Sequence, residues 1–200
     1  MSILSRAREL IINPRVTWQI IRDEETTVKE LFINYAAPLA LIPALASMIS
    51  MTLIGLRLPA EKVIRVSFFD SLLANGGQYL FTLTAVYAAS WIITKLAPVF
   101  KSKVDRTMAA KLCIYSMTPS WLVGIFTLVP GLGLLTILGS YGIYLFFLGL
   151  PVLLETPDNK VLLYSIASLV LAFLVSLVLS MILVSTVYAP IYLKLLAVSK

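Results

Sequence analysis

VLLYSIASLVLAFLVSLVLSMILVSTVY, residues 161–188, is a run of 28 positions without a charged side chain. About 20 consecutive apolar residues are enough for a helix to cross the roughly 30 Å of hydrocarbon in a bilayer. Barrel strands would alternate polar and apolar over about ten residues, whereas this run is continuously apolar. A charge at the centre of a membrane helix costs about 2.5–3.5 kcal/mol on insertion scales, which explains why charge is avoided here. The run therefore reads as a transmembrane helix. It is longer than one crossing needs, so it is expected to tilt or to lay its end along the surface.

Four more runs repeat the pattern: Leu31 to Leu56, Ser71 to Leu96, Leu112 to Val129 and Leu132 to Leu154. The whole chain is 60% hydrophobic and 13% charged. Soluble domains average about 45–50% and about 25%. The expected fold class is all-α: a polytopic membrane helix bundle of about five transmembrane helices, preceded by a short amphipathic helical segment. Residues 1–30 form that segment and residues 31–200 the transmembrane domain. No apolar leader stands ahead of the first span, which is expected to act as an uncleaved insertion signal.

The positive charges set an orientation. With the N-terminus in the cytoplasm, the first arm, the loop between spans two and three, and Lys160 place eleven Lys and Arg inside. Arg57, Lys62, Arg65, Lys194 and Lys200 make five outside. The positive-inside rule favours this choice, with the C-terminus outside. The expected location is a cell (inner) membrane.

In the N-terminal segment, Ile3, Leu4, Ala7, Leu10 and Ile11 recur at helical spacing, opposite Arg6, Arg8 and Glu9. Such a helix can lie on headgroups or pack under the bundle. Asn13-Pro14 predicts a cap followed by proline at the first helical position. Trp18 is expected as an interfacial anchor. Thr27-Val28-Lys29-Glu30 has the spacing of a capping box and opens span one.

Pro38 and Pro43 predict a kink in span one, and Pro119 one in span three. Val129-Pro130-Gly131 predicts a tight hairpin between spans three and four. Two small-residue stripes are expected to admit neighbouring helices closely: Ala36, Ala40 and Ala44 in span one, and Ser168, Ala172, Ser176 and Ser180 in span five.

Composition removes most chemistry. The chain has no histidine and a single cysteine, Cys113. Ser-His and Cys-His pairs, imidazole relays and cysteine-based metal sites are therefore absent. No acidic residue falls in the middle of a span, where it would suggest coupled transport. The expectation is a protein that is not an enzyme and carries no cofactor. The net charge of +6 lies in loops and reads as membrane orientation, with no nucleic-acid partner. Lys101, Lys103, Arg106 and Lys111 form a basic cluster able to contact anionic lipid.

Asn34-Tyr35-Ala36-Ala37-Pro38 resembles the Asp-Leu-x-Gly-Pro element of the Yip family, membrane proteins named for interaction with Ypt/Rab GTPases. Tyr115-Ser116-Met117-Thr118-Pro119 resembles that family's Gly-Tyr-x-x-x-Pro element, with Ile114 in place of glycine. Gly149-Leu150-Pro151-Val152, followed by Thr156-Pro157 and Lys160, is similar to the junction of spans four and five in its prokaryotic members. The resemblance implies five spans, a cytoplasmic N-terminus, no enzymatic activity and a role in membrane organisation or trafficking. It marks Asn34, Tyr35, Pro38, Tyr115, Pro119, Gly149 and Pro151 as motif residues. A GTPase partner is implied by the resemblance alone, and Asn34 and Ala37 depart from the family's acidic residue and glycine. The expected partners are membrane lipids and other membrane proteins, or further copies of the chain. The alternative is a small-solute transporter or channel, with a cavity near Asn34, Pro38, Tyr115 and Pro119.

Overall fold

Proline accounts for several of the places where these helices depart from α geometry. The computed structural model describes residues 2–57, 63–129 and 131–198. Lys62, Lys200 and the hairpin residue Pro130 lie outside the described residues. Two short helices, α1 (Ile3–Ile12) and α2 (Pro14–Asp23), precede the first long one. That helix runs from α3 (Val28–Leu31) through a π turn at Phe32–Ala36 into α4 (Ala37–Ile49), and ends in a second π turn at Ser50–Ile54. A two-residue antiparallel ladder follows, β1 (Leu56–Arg57) on β2 (Val63–Ile64), with Leu56 opposite Ile64. Next come α5 (Phe68–Leu96), α6 (Arg106–Ser116), α7 (Thr118–Val123) and a 3₁₀ turn at Gly124–Leu128. A second 3₁₀ segment, Leu132–Ser140, leads into α8 (Tyr141–Leu154). The chain closes with α9 (Asp158–Leu183), a π turn at Val184–Tyr188 and α10 (Ala189–Val198).

Apart from that two-residue ladder, the described residues form a helical membrane bundle. Among the described residues, four helices are long and apolar enough to cross a bilayer: Val28–Ile54, Phe68–Leu96, Leu132–Leu154 and Asp158–Lys194. The run Leu112 to Val129, read as the third span, is divided among α6, α7 and a 3₁₀ turn. The cause is Pro119, which cannot donate to Tyr115 and whose ring crowds that carbonyl. The helix breaks at Met117, whose N–H reaches back to the Cys113 and Ile114 carbonyls.

Two of the π turns answer the same problem. Pro38 offers no N–H to Asn34, and the preceding turn widens so that Ala37 N–H bonds to the Phe32 carbonyl five residues back. The turn before Pro190 is built alike, with Ala189 N–H on the Val184 carbonyl. Such bulges absorb a local defect without ending the helix. Where the helices start, side chains serve the free N–H groups. Both bonds of the Thr27/Glu30 capping box form, at 3.2 and 2.9 Å. Asp105 Oδ1 accepts from Thr107 and Met108 N–H at 2.8 and 3.0 Å. Asn13 stands before Pro14 as expected, yet its side chain makes no cap bond; Thr17 Oγ1 donates to the Asn13 carbonyl instead.

The long last span neither stops at Pro190 nor lies apart from the bundle. Ile191 is buried with Val66 and Ala74, and Lys194 Nζ sits 2.8 Å from Asp70 Oδ2. Along α9 the large side chains Leu162, Ile166, Phe173 and Met181 face outward, as lipid contact requires.

Helix α8 reaches the centre of the bundle through two glycines. Gly142 and Gly149 are seven residues apart and so share one face. A Cβ on Gly142 would stand 2.3 Å from the Ser116 carbonyl oxygen, and one on Gly149 would stand 2.7 Å from Trp18 and 2.8 Å from Leu112. Leu112 and Ser116 are themselves one helical turn apart on α6, so the two helices meet at two matching levels. A methyl group cannot be accommodated against a backbone oxygen without moving a helix. Gly142→Ala should therefore lower the thermal midpoint in detergent by several degrees, consistent with about 1–3 kcal/mol of overpacking. Gly133→Ala, where nothing lies within 4 Å, should leave the midpoint within a degree or two. Equal midpoints for the two variants would refute the close approach.

Candidate functional site

The N-terminal segment is not a loose arm. Helices α1 and α2 fold back on one another as a hairpin, joined near its base by an ion pair between the buried Arg6 guanidinium and Glu24. Its inner face is led by Trp18, which is 0% exposed. Trp18 was expected as an interfacial anchor. It is instead an interior side chain, because Gly149 leaves room for its ring against α8.

Three motif elements from separate spans meet at this ring. Trp18 packs edge-on to Tyr115, with ring centroids 6.3 Å apart. Tyr115 packs edge-on to Tyr35 at 4.6 Å. The Tyr35 hydroxyl shares a buried 3.0 Å hydrogen bond with Thr118 Oγ1, at the break before Pro119. Tyr35, Tyr115 and Gly149 are thus parts of one seat for the hairpin.

Lys111 completes the seat. It was read with Lys101, Lys103 and Arg106 as a lipid-contacting cluster, but it is 1% exposed and leaves that group. Its Nζ donates to the carbonyls of Ile21 at 2.6 Å, Glu24 at 2.5 Å and Arg22 at 3.4 Å. These are the carbonyls that the end of α2 leaves without helical partners. A cation there also opposes the negative end of the helix dipole. The other three remain at the surface. Lys103 pairs with Glu155 at 3.2 Å, and Arg106 donates to the Tyr87 hydroxyl. Lys101 is exposed and adopts φ 56° in the loop after α5.

The expected cavity around Asn34, Pro38, Tyr115 and Pro119 takes a different shape. Asn34, Tyr35 and Tyr115 border a polar void of about 380 Å³ beside Arg6, Glu24 and Glu30. Pro38 and Pro119 do not line it. Pro38 is exposed and Pro119 buried, each acting on its own helix. Pro151 lies inside α8, one turn from the junction where Lys103 N–H bonds to the Leu154 carbonyl and Ser102 to Thr156. In the first stripe Ala36, Ala40 and Ala44 are buried in the core. In the second, Ser168 is buried, while Ala172, Ser176 and Ser180 are half-buried.

Sequence reasoning missed Arg6, Trp18, Glu24 and Lys111 as members of the seat. The available signal for Lys111 was its position within Ala109 to Ser116, a stretch of α6 that the structure buries on every side.

Comparison with known proteins identifies a family for the chain. Residues 8–180 match the Yip1 domain family model. The chain is 24% identical over 176 residues to inner membrane protein YohC of Escherichia coli strain K12, covering 86% of this chain and 90% of that protein. The YohC sequence of Escherichia coli O6:H1 strain CFT073 matches to the same extent. No solved structure matches the chain. With most of its length under one family model, the chain belongs to the Yip1 domain family of membrane proteins.

Proposed function

We propose that this protein is a non-enzymatic interaction module of a cell inner membrane, working through its N-terminal hairpin on lipid and on neighbouring membrane proteins. The observation that carries this reading is the two-sided character of the hairpin. Its inner side is clamped on Trp18, Tyr115 and Lys111. Its outer side exposes Leu4, Ile11, Ile12, Val16 and Ile20 beside Arg8, Arg15 and Arg22. Apolar and basic residues together suit the boundary between headgroups and acyl chains, especially anionic ones.

Residues 1–30 then serve as the contact element, and the transmembrane domain as the platform that presents it. The excess of positive charge supports an N-terminus in the cytoplasm and a C-terminus outside. The exposed Lys101 and Lys103 in the α5–α6 loop and Arg106 at the start of α6 lie on that same cytoplasmic side and extend the anionic-lipid contact. Partners are lipids and other membrane proteins or copies of the chain; the relatives' description as inner membrane proteins supports the location. Binding of a Ypt/Rab-type GTPase is the family's suggestion for the same cytoplasmic surface.

Two experiments test the reading. An environment-sensitive dye on Val16→Cys, in nanodiscs, should emit to the blue of its free value and be quenched by nitroxide-labelled lipid, more strongly with anionic lipid. Water-like emission in both lipids would refute lipid contact. For the clamp, Ala7→Cys is 2% exposed at its native alanine and should resist a hydrophilic maleimide, while the native Cys113 is buried and stays silent. Lys111→Met leaves three carbonyls unserved at a cost of about 1–3 kcal/mol, enough to raise the Ala7→Cys labelling rate roughly tenfold. An unchanged rate would mean that Lys111 does not hold the hairpin.

A further inference from the structure

A second void lies away from the hairpin, between α5, the α6–α7 break, α8 with its 3₁₀ lead-in, and α9. Its volume is about 550 Å³, and it is neither sealed nor flat. Ligand cavities span about 300–1,000 Å³. It shares no lining residue with the polar void beside Asn34. On α5 its wall extends from Phe81 to Ile93, about 18 Å of helical rise. No charged side chain lines it. The occupant must therefore be neutral, elongated and mostly apolar.

Two hydroxyls add a polar requirement. Ser116 and Ser168 both line the void, at 5% and 1% exposure. Neither hydroxyl has a hydrogen-bond partner among the described residues. Two other hydroxyls on the wall are occupied: Ser120 donates to the Gly139 carbonyl at 3.1 Å and Thr136 to the Gly133 carbonyl at 2.6 Å. Buried hydroxyls are rarely left alone, so two on one wall call for an acceptor. Ser168 lies ten residues beyond Asp158, about 15 Å along α9 from that charged helix start. A phospholipid carries its ester oxygens at the membrane edge, and its tail offers no acceptor at that depth.

We infer that this void binds a neutral, bilayer-soluble molecule with an elongated apolar body and a carbonyl oxygen that accepts from Ser116 and Ser168. Ala172 and Ser176 on α9 are the small residues that leave space for it, so the span-five stripe admits a ligand where a helix was expected.

The full chain in detergent is titrated with two probes of similar shape, decylubiquinone and decylbenzene, and thermal unfolding is followed by circular dichroism. Decylubiquinone should raise the midpoint saturably, as a ligand of the folded state does. Decylbenzene, which lacks a carbonyl, should give a clearly smaller shift. The double variant Ser116→Ala/Ser168→Ala should weaken decylubiquinone by about tenfold while leaving decylbenzene unchanged. Ala172→Phe should remove both responses by filling the space. Equal responses to the two probes, or insensitivity of decylubiquinone to the serine double variant, would overturn the carbonyl site and leave only an apolar slot. Absence of a saturable response to decylubiquinone in the unaltered chain would overturn ligand binding altogether.

Discussion

In hydrocarbon, a backbone N–H or C=O without a partner cannot turn to water, and this chain places proline inside nearly every long helix. That conflict shapes the bundle. A proline in a soluble helix loses one bond and exposes the freed carbonyl. Within a bilayer the carbonyl must be served locally or lie against protein. Here the helix widens before Pro38 and Pro190, and it breaks before Pro119. Each device keeps the chain helical while changing the direction in which the following side chains project.

The break at Pro119 has the widest consequences. It places Thr118 where its hydroxyl meets Tyr35, and so links span one to span three through a buried hydrogen bond. Tyr35 in turn supports Tyr115, on which the hairpin rests. The same logic governs the end of α2. Its last carbonyls are turned into the protein, and a buried lysine is a costly group to bury unless every donor is used. Lys111 has three donors and three carbonyl partners. The lysine and the helix end solve each other's problem, and neither could be buried alone.

Much of this was legible from sequence and some was not, for definite reasons. Span boundaries follow from hydropathy, and four survive as continuous helices. The capping box at Thr27 and Glu30 is a local pattern, read correctly because both partners lie within four residues. Trp18 and Lys111 were misplaced because their surroundings come from residues about 90 or more positions away. A tryptophan or lysine at a membrane edge has two good environments, and only the tertiary fold chooses between them. The seat's aromatic members were found through motif resemblance, which carried Tyr35, Tyr115 and Gly149 but said nothing of what they hold.

Helix α6 joins the two candidate sites. Tyr115 turns toward the hairpin, and Ser116, one residue on and about 100° around the helix, turns toward the apolar void. The glycine face of α8 presses on this helix at Leu112 and at the Ser116 carbonyl, and at the first of these levels it also holds Trp18. A shift of α6 that loosened the Trp18 seat would therefore displace the Ser116 hydroxyl as well. Close-packed interfaces of this kind transmit small displacements poorly as continuous strain and well as a change between discrete packings. Occupation of the void and docking of the hairpin thus depend on the same placement of a single helix, fixed by two glycines on one side and a proline break at its end.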